Sequence, residues 1–171
     1  MALSLCVSGV FAQDANKVKS EGDEALKAKN YTVAFTKYDQ YLKTNNNQDS
    51  VTVFNCGLSG LNSKNYAGAV KYFDISIKNN YQLPMSYAGK AQALRNMGKT
   101  AEMLTTIEAG LKVVPGDNNL EKLYAIHYLK EGQKFQQAGD QAKAEEAYKS
   151  ILSITDKKYK TDALYSLGVM M

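Results

Sequence analysis

The chain has 171 residues, of which 44% are hydrophobic and 22% charged, so it can bury a sizeable core and lacks the profile of a disordered chain. Its 21 basic and 17 acidic side chains are interspersed and leave a net charge of +4, with no basic strip to track a phosphate backbone; this argues against nucleic-acid binding. Cys6 and Cys56 are the two cysteines, and if Cys6 is removed in maturation the remaining thiol makes neither an internal disulfide nor a metal cluster.

The amino terminus reads A-L-S-L-C-V-S-G-V-F-A from Ala2 to Ala12, and then turns polar at Gln13 and Asp14. An apolar stretch with a small-residue exit is the pattern of a secretory leader, and cleavage is expected after Ala12. The basic segment that usually precedes such a stretch is missing. Leu5-Cys6 resembles part of a lipoprotein signal, but a small residue should precede the cysteine, so lipid anchoring at Cys6 is the lesser reading. A buried first helical turn is a further alternative. The stretch is too short to span a bilayer, and no later one qualifies.

From about residue 15 the sequence repeats. Asn30-Tyr31 opens N-Y-x-x-A-x-x-x-Y, ending at Tyr38, and Asn65-Tyr66 opens the same frame, ending at Phe73. Related frames start at Gly98, ending at Ile107, and at Gly139, ending at Tyr148. Ala34, Ala69, Met103 and Ala144 align at spacings of 35, 34 and 41 residues. Four residues beyond each ring or aliphatic position stands another apolar residue, namely Leu42, Ile77, Leu111 or Leu152. Positions i, i+4 and i+8 share one helix face, so each copy presents a buried stripe. Upstream of each lies a second helix marked by a small residue: Gly22, Gly57, Ala91, Gly132 and Gly168. Asn30, Asn65, Gly98 and Gly139 are expected to end that helix in a left-handed conformation, and Pro84 to open a helix. The long spacing falls between Pro115 and Gly139 and predicts a first helix about two turns longer in the fourth copy.

This frame resembles the tetratricopeptide repeat, W-x2-L-G-x2-Y then A-x3-F then P over 34 residues. No tryptophan is present; Val18, Val53, Tyr87, Tyr128 and Leu164 stand at its position, and Leu-Gly is intact only at Leu167-Gly168. The resemblance implies an all-α fold, an α-α superhelix or solenoid of antiparallel helix pairs, with about four and a half repeats. They run about 15–48, 50–83, 84–117 and 118–158, with the first helix of a fifth at 159–171. Residues 1–12 form the leader-like segment. The last helix ends on apolar L-G-V-M-M without a partner helix, so the native protein is expected to continue past Met171; the alternatives are that this helix is itself a divergent cap, or that the chain self-associates through it.

Nothing in the sequence assembles a catalytic set, and no cofactor or metal site is expected. His127 is the sole histidine. Cys56 precedes a close-approach glycine and reads as core. Gly98-Lys99-Thr100 resembles the tail of a phosphate loop, but Ala93 stands where that pattern needs glycine.

In the tetratricopeptide family the first helices line a groove that holds an extended peptide or a partner's helix. The resemblance carries groove positions onto Lys19, Phe54, Asn55, Leu58, Asn62, Gln92, Arg95, Asn96, Lys130, Gln133 and Gln137. Asp23 stands where a carboxylate clamp wants asparagine, which argues against that clamp. The expected function is an exported scaffold or adaptor of bacterial type that binds a protein or peptide in the cell envelope and is not an enzyme. The alternatives are the repeat arm of a larger envelope machine, and a glycan- or lipid-binding envelope protein.

Overall fold

The computed structural model describes the backbone of residues 5–170 and the side chains of residues 14–168. The side chains of the leader-like segment, Cys6 included, lie outside the described residues, as do those of Val169, Met170 and Met171. Among the described residues every regular element is helical. The order is α1 (Leu5–Lys27), α2 (Tyr31–Thr44), α3 (Ser50–Asn62), α4 (Tyr66–Lys78), α5 (Leu83–Asn96), α6 (Thr100–Val113), α7 (Asn118–Gln137), α8 (Gln141–Ser150), a 3-10 turn (Ile151–Ser153) and α9 (Lys157–Met170).

The helices fall into two compact units, residues 1–100 and 101–171. In the first, α1 packs on α2, α2 on α3, α3 on α4 and α4 on α5, while α3 also touches α5. Short connections make consecutive helices antiparallel, so this unit is a stack of helix hairpins in which first helices lie beside each other. In the second, α7 packs on α8 and α8 on α9, and the 3-10 turn touches all three. The boundary falls at the start of α6, inside the third of the repeats read from the sequence.

Helix starts are fixed by side-chain caps. The carboxylates of Asp49, Asp117 and Asp140 accept from the backbone N–H of Thr52, Leu120 and Lys143. Each such cap contributes about 1 kcal/mol. Asn30 and Asn65 belong to this set, accepting from Val33 N and Gly68 N. The left-handed residue expected at these two positions lies one step earlier. Asn30 and Asn65 have φ values of −82° and −81°, and the left-handed residues are Lys29 (φ 57°) and Lys64 (φ 64°). An asparagine that caps the next helix cannot also end the last one, so its neighbour takes the turn. In the later copies glycine does so as expected, at Gly98 (φ 73°) and Gly139 (φ 77°).

The repeated stripe is the core. Ala34, Tyr38 and Leu42 are fully buried, as are Ala69, Phe73 and Ile107, and Met103 is nearly so. Close approach requires the small residues opposite: a Cβ on Gly22 would lie 2.8 Å from the Tyr38 ring. The next position along the stripe departs from expectation in three copies: Leu42 is fully buried, but Ile77, Leu111 and Leu152 are half-buried. In the fourth copy Ala144 and Tyr148 are buried, α8 ends at Ser150, and the tightened turn that follows buries Ile151. The extra length between Pro115 and Gly139 is helical: α7 has 20 residues, against 13 in α3 and 14 in α5.

Candidate partner-binding surface

A helix presents residues spaced by three and four on one face. On α3 that spacing aligns Val51, Asn55, Leu58 and Asn62, all exposed or half-buried. The opposite side of α3 sends Val53, Cys56 and Gly57 into the core. On α5 it aligns Met85, Ala88, Gln92, Arg95 and Asn96, all likewise accessible. Since α3 and α5 touch, and Leu58 of the α3 stripe packs on a cluster that includes Ala93 of α5, the two stripes flank one contact. Val51 (50% exposed) and Met85 (46%) stand out as large apolar side chains left in water, and reading the sequence for groove positions missed both. Their helical spacing from Asn55 and from Gln92 was the signal available.

The residues carried over from the family divide by environment. On α1, Lys19 lies 3.4 Å from the Asp49 carboxylate, which also accepts from Thr52 N and Thr52 Oγ1. Asp23 accepts a 2.7 Å hydrogen bond from Tyr38 Oη. Both charges on α1 therefore have partners within the unit. Phe54 is only 7% exposed; its ring meets Phe73 and Tyr81 edge-on with centroids 6.1 and 5.9 Å away, so it belongs to the core and offers little to a ligand. Asn62 donates its amide to Leu58 O at 2.8 Å, and Gln92 reaches Asn96 Oδ1 at 3.5 Å. Arg95 is exposed and makes no ion pair with a described residue. In the second unit Lys130, Gln133 and Gln137 are exposed on α7.

Burial favours the uncharged forms of Cys56, His127 and Tyr128. Burial pushes the Cys56 thiol up, and the nearby Asp39 carboxylate adds to this; its Sγ faces Phe35 O at 3.8 Å. Such a thiol is a poor nucleophile. Burial lowers His127 below its ordinary value, against the pull of Glu131, and its ring meets Tyr128 edge-on at 5.0 Å. Burial, with Tyr124 beside it, raises the Tyr128 phenol to about 12. Among the described residues no three of His, Cys, Asp and Glu group as a metal would require, and no helix is long and apolar enough to cross a membrane.

The second unit also contains a cleft of about 290 Å³, walled in part by Leu111, Pro115, Tyr124 and Ile154, with Glu121 at its side. Glu121 is 2% exposed. Its carboxylate accepts from Thr155 N at 2.7 Å, Thr155 Oγ1 at 2.9 Å and Asp156 N at 2.9 Å. Asp156 in turn caps α9 through Lys158 N and Tyr159 N. The carboxylate is thus occupied in fixing the entry to α9. Sequence reasoning missed it because Glu121 and Thr155 meet only through the fold.

Repeated helix hairpins with an accessible stripe on alternate helices, each buried through an alanine-and-ring face, define a helical-repeat protein built to present surface. No family model matches the chain, and no curated protein does. A solved structure does: a TPR repeats protein from Bacteroides fragilis NCTC 9343 shares 58% sequence identity, with a TM-score of 0.85, over 91% of this chain and 70% of the other. The chain belongs to the tetratricopeptide-repeat family.

Proposed function

We propose that the chain is an exported scaffold or adaptor of the cell envelope that binds a peptide or helix of a partner protein and carries out no catalysis. The tetratricopeptide fold is one of protein–protein interaction, which supports the coarse part of this reading. The observation that carries it is the double stripe on α3 and α5: it stays accessible while the opposite faces of those helices are spent on packing. A stripe that mixes apolar and amide side chains suits a polypeptide, whose backbone needs donors and acceptors and whose side chains need apolar contact. Export rests on the apolar run and small-residue exit at Ala2–Ala12.

A photo-crosslinking residue at Asn62 or Gln92 tests the binding surface in cells expressing the full chain. A discrete crosslinked envelope protein, lost when the probe moves to Lys149 on α8, is the expected result. No adduct at either stripe position, with the protein present and folded, would sink the reading. The mass of the purified protein tests export, with a mature chain starting at Gln13 expected.

A further inference from the structure

Antiparallel stacking sorts the connections of the first unit onto two edges. The turns α1–α2, α3–α4 and α5–α6 end on one edge, and the turns α2–α3 and α4–α5 on the other. The charges sort with them. Residues 27–33 and 62–68, on the first edge, hold Lys27, Lys29 and Lys64 and not one acid. Residues 44–50 and 78–84, on the second, hold one lysine and one aspartate, Lys78 and Asp49. Basic residues that look scattered along the chain are therefore gathered by the fold.

Lys27, Lys29 and Lys64 are exposed and make no ion pair with a described residue. The first two tips adjoin: a Cβ on Gly68, in the opening turn of α4, would lie 2.5 Å from the Phe35 ring of α2. Neighbouring tips then stand about 10 Å apart, the spacing of packed helices. Val33 and Met97 leave apolar surface exposed on the same edge. Lys29 and Lys64 also hold left-handed backbone, at φ 57° and 64°, where Gly98 and Gly139 serve the same turn in later copies. Glycine takes that conformation without steric cost and lysine does not, so the turn itself does not call for the charge.

We infer that this edge of the first unit docks on the anionic surface of a phospholipid bilayer. A bilayer offers a plane of phosphates that the two adjoining tips meet together, whereas an acidic segment of a protein would have to supply carboxylates at each tip. Lys27, Lys29 and Lys64 reach the headgroups, and Val33 and Met97 lie against the boundary of the acyl chains. The contact leaves the α3 and α5 stripe free, and nothing in it depends on export or on the partner proposed above.

Co-sedimentation of the full chain with vesicles tests it, using phosphatidylcholine alone and phosphatidylcholine with about a third phosphatidylglycerol. The neutral vesicles subtract any binding through the apolar amino-terminal stretch. Binding to the anionic vesicles is expected, weakening as salt rises from about 0.05 M to 0.5 M and the screening length contracts. K29G/K64G should weaken it by roughly tenfold or more, while the melting temperature holds or rises. K29Q/K64Q should lose binding to a similar extent, and K29R/K64R and the opposite-edge K78Q should keep it. No preference for anionic vesicles, or a preference that K29G/K64G and K29Q/K64Q leave intact, would overturn the inference. Capture by poly-glutamate without vesicle binding, lost in the same two variants, would overturn it too and assign the edge to an acidic protein. None of these outcomes touches the stripe, whose crosslinks stand or fall separately.

Discussion

The two units use one repeated frame and anchor it differently. In the first, the phenols of Tyr38 and Tyr72 donate to carboxylates on other helices, Asp23 at 2.7 Å and Asp39 at 2.6 Å, and Asp39 also holds Lys43 at 2.6 Å. In the second, Tyr148, the equivalent of Tyr38, meets a neutral partner, Gln136, at 3.1 Å, and the buried carboxylate is Glu121, committed to backbone and hydroxyl donors ahead of α9. The ring position is preserved because its volume fills the space left by a small residue opposite. The polar group that locks it is free to vary, because several donors and acceptors can satisfy one hydroxyl. The first unit therefore depends on charge–phenol bonds and the second on capture of a turn.

The largest expected effect tests what the units share. Tyr38→Ala and Tyr148→Ala should each cost about 3–5 kcal/mol in urea unfolding, with hydrogen exchange accelerating first in the unit that carries the change. Equal, small losses would mean the rings are not the core of the frame. Next comes the device particular to the second unit. Glu121→Ala strands the backbone donors of Thr155 and Asp156 and should cost about 2–3 kcal/mol, with α9 amides losing protection while α1–α5 amides keep theirs.

A smaller effect separates two glycines that stand at the same place in the frame. A Cβ on Gly132 would run into the Tyr148 ring, whereas one on Gly168 meets nothing within 4 Å. Gly132→Ala should destabilise by about 1–3 kcal/mol. Gly168→Ala should stabilise by about 0.5–1 kcal/mol through lower chain entropy. Thermal melts that gave both the same sign would remove the distinction.

The subtlest difference is in acid. Burial acts to raise the Asp39 carboxyl, but hydrogen bonds from Lys43 and Tyr72 outweigh it and hold the group below its ordinary 3.8. A depressed carboxyl stabilises the fold above that value and the contribution is lost only as pH falls through the folded value. His127 is depressed from 6.5 by burial. The folded state favours its neutral ring, so that contribution is complete above 6.5 and is lost as pH falls below it. As pH falls just below 6.5 the second unit should lose stability before the lowered carboxyls Glu21, Asp39 and Asp49 of the first unit begin to titrate, and His127→Gln should flatten that slope. An unchanged pH profile in the variant would remove His127 as its source.

The helix pairs were legible because burial imposes period and size on the residues that make them. Ala34, Tyr38 and Leu42 announce a buried face by their spacing alone. The caps were half legible: asparagine at a helix junction signals a break, but the same residue serves a helix end or the next helix start, and Asn30 and Asn65 proved to be starts. At the accessible surface the family positions gave Asn55, Leu58, Gln92 and Arg95 their place, yet they also included Phe54, which two rings from other segments bury. Val51 and Met85 went unremarked because exposure of an apolar side chain is a property of its surroundings. The basic edge was hidden for a related reason, since Lys29 and Lys64 stand 35 residues apart and meet only when hairpins stack.

The sequence by itself determined the all-helical repeat, its phase and the location of its packed faces, since these follow from local periodicity and side-chain volume. Only the tertiary structure decided which polar groups are spent. Lys19 is matched by Asp49, Asp23 by Tyr38 and Glu121 by the turn before α9, while Lys29 and Lys64 are left facing outward. Each of these depends on a partner a dozen or more residues away, or on the lack of one, and electrostatic and hydrogen-bond pairing acts over a few ångströms of space irrespective of distance along the chain.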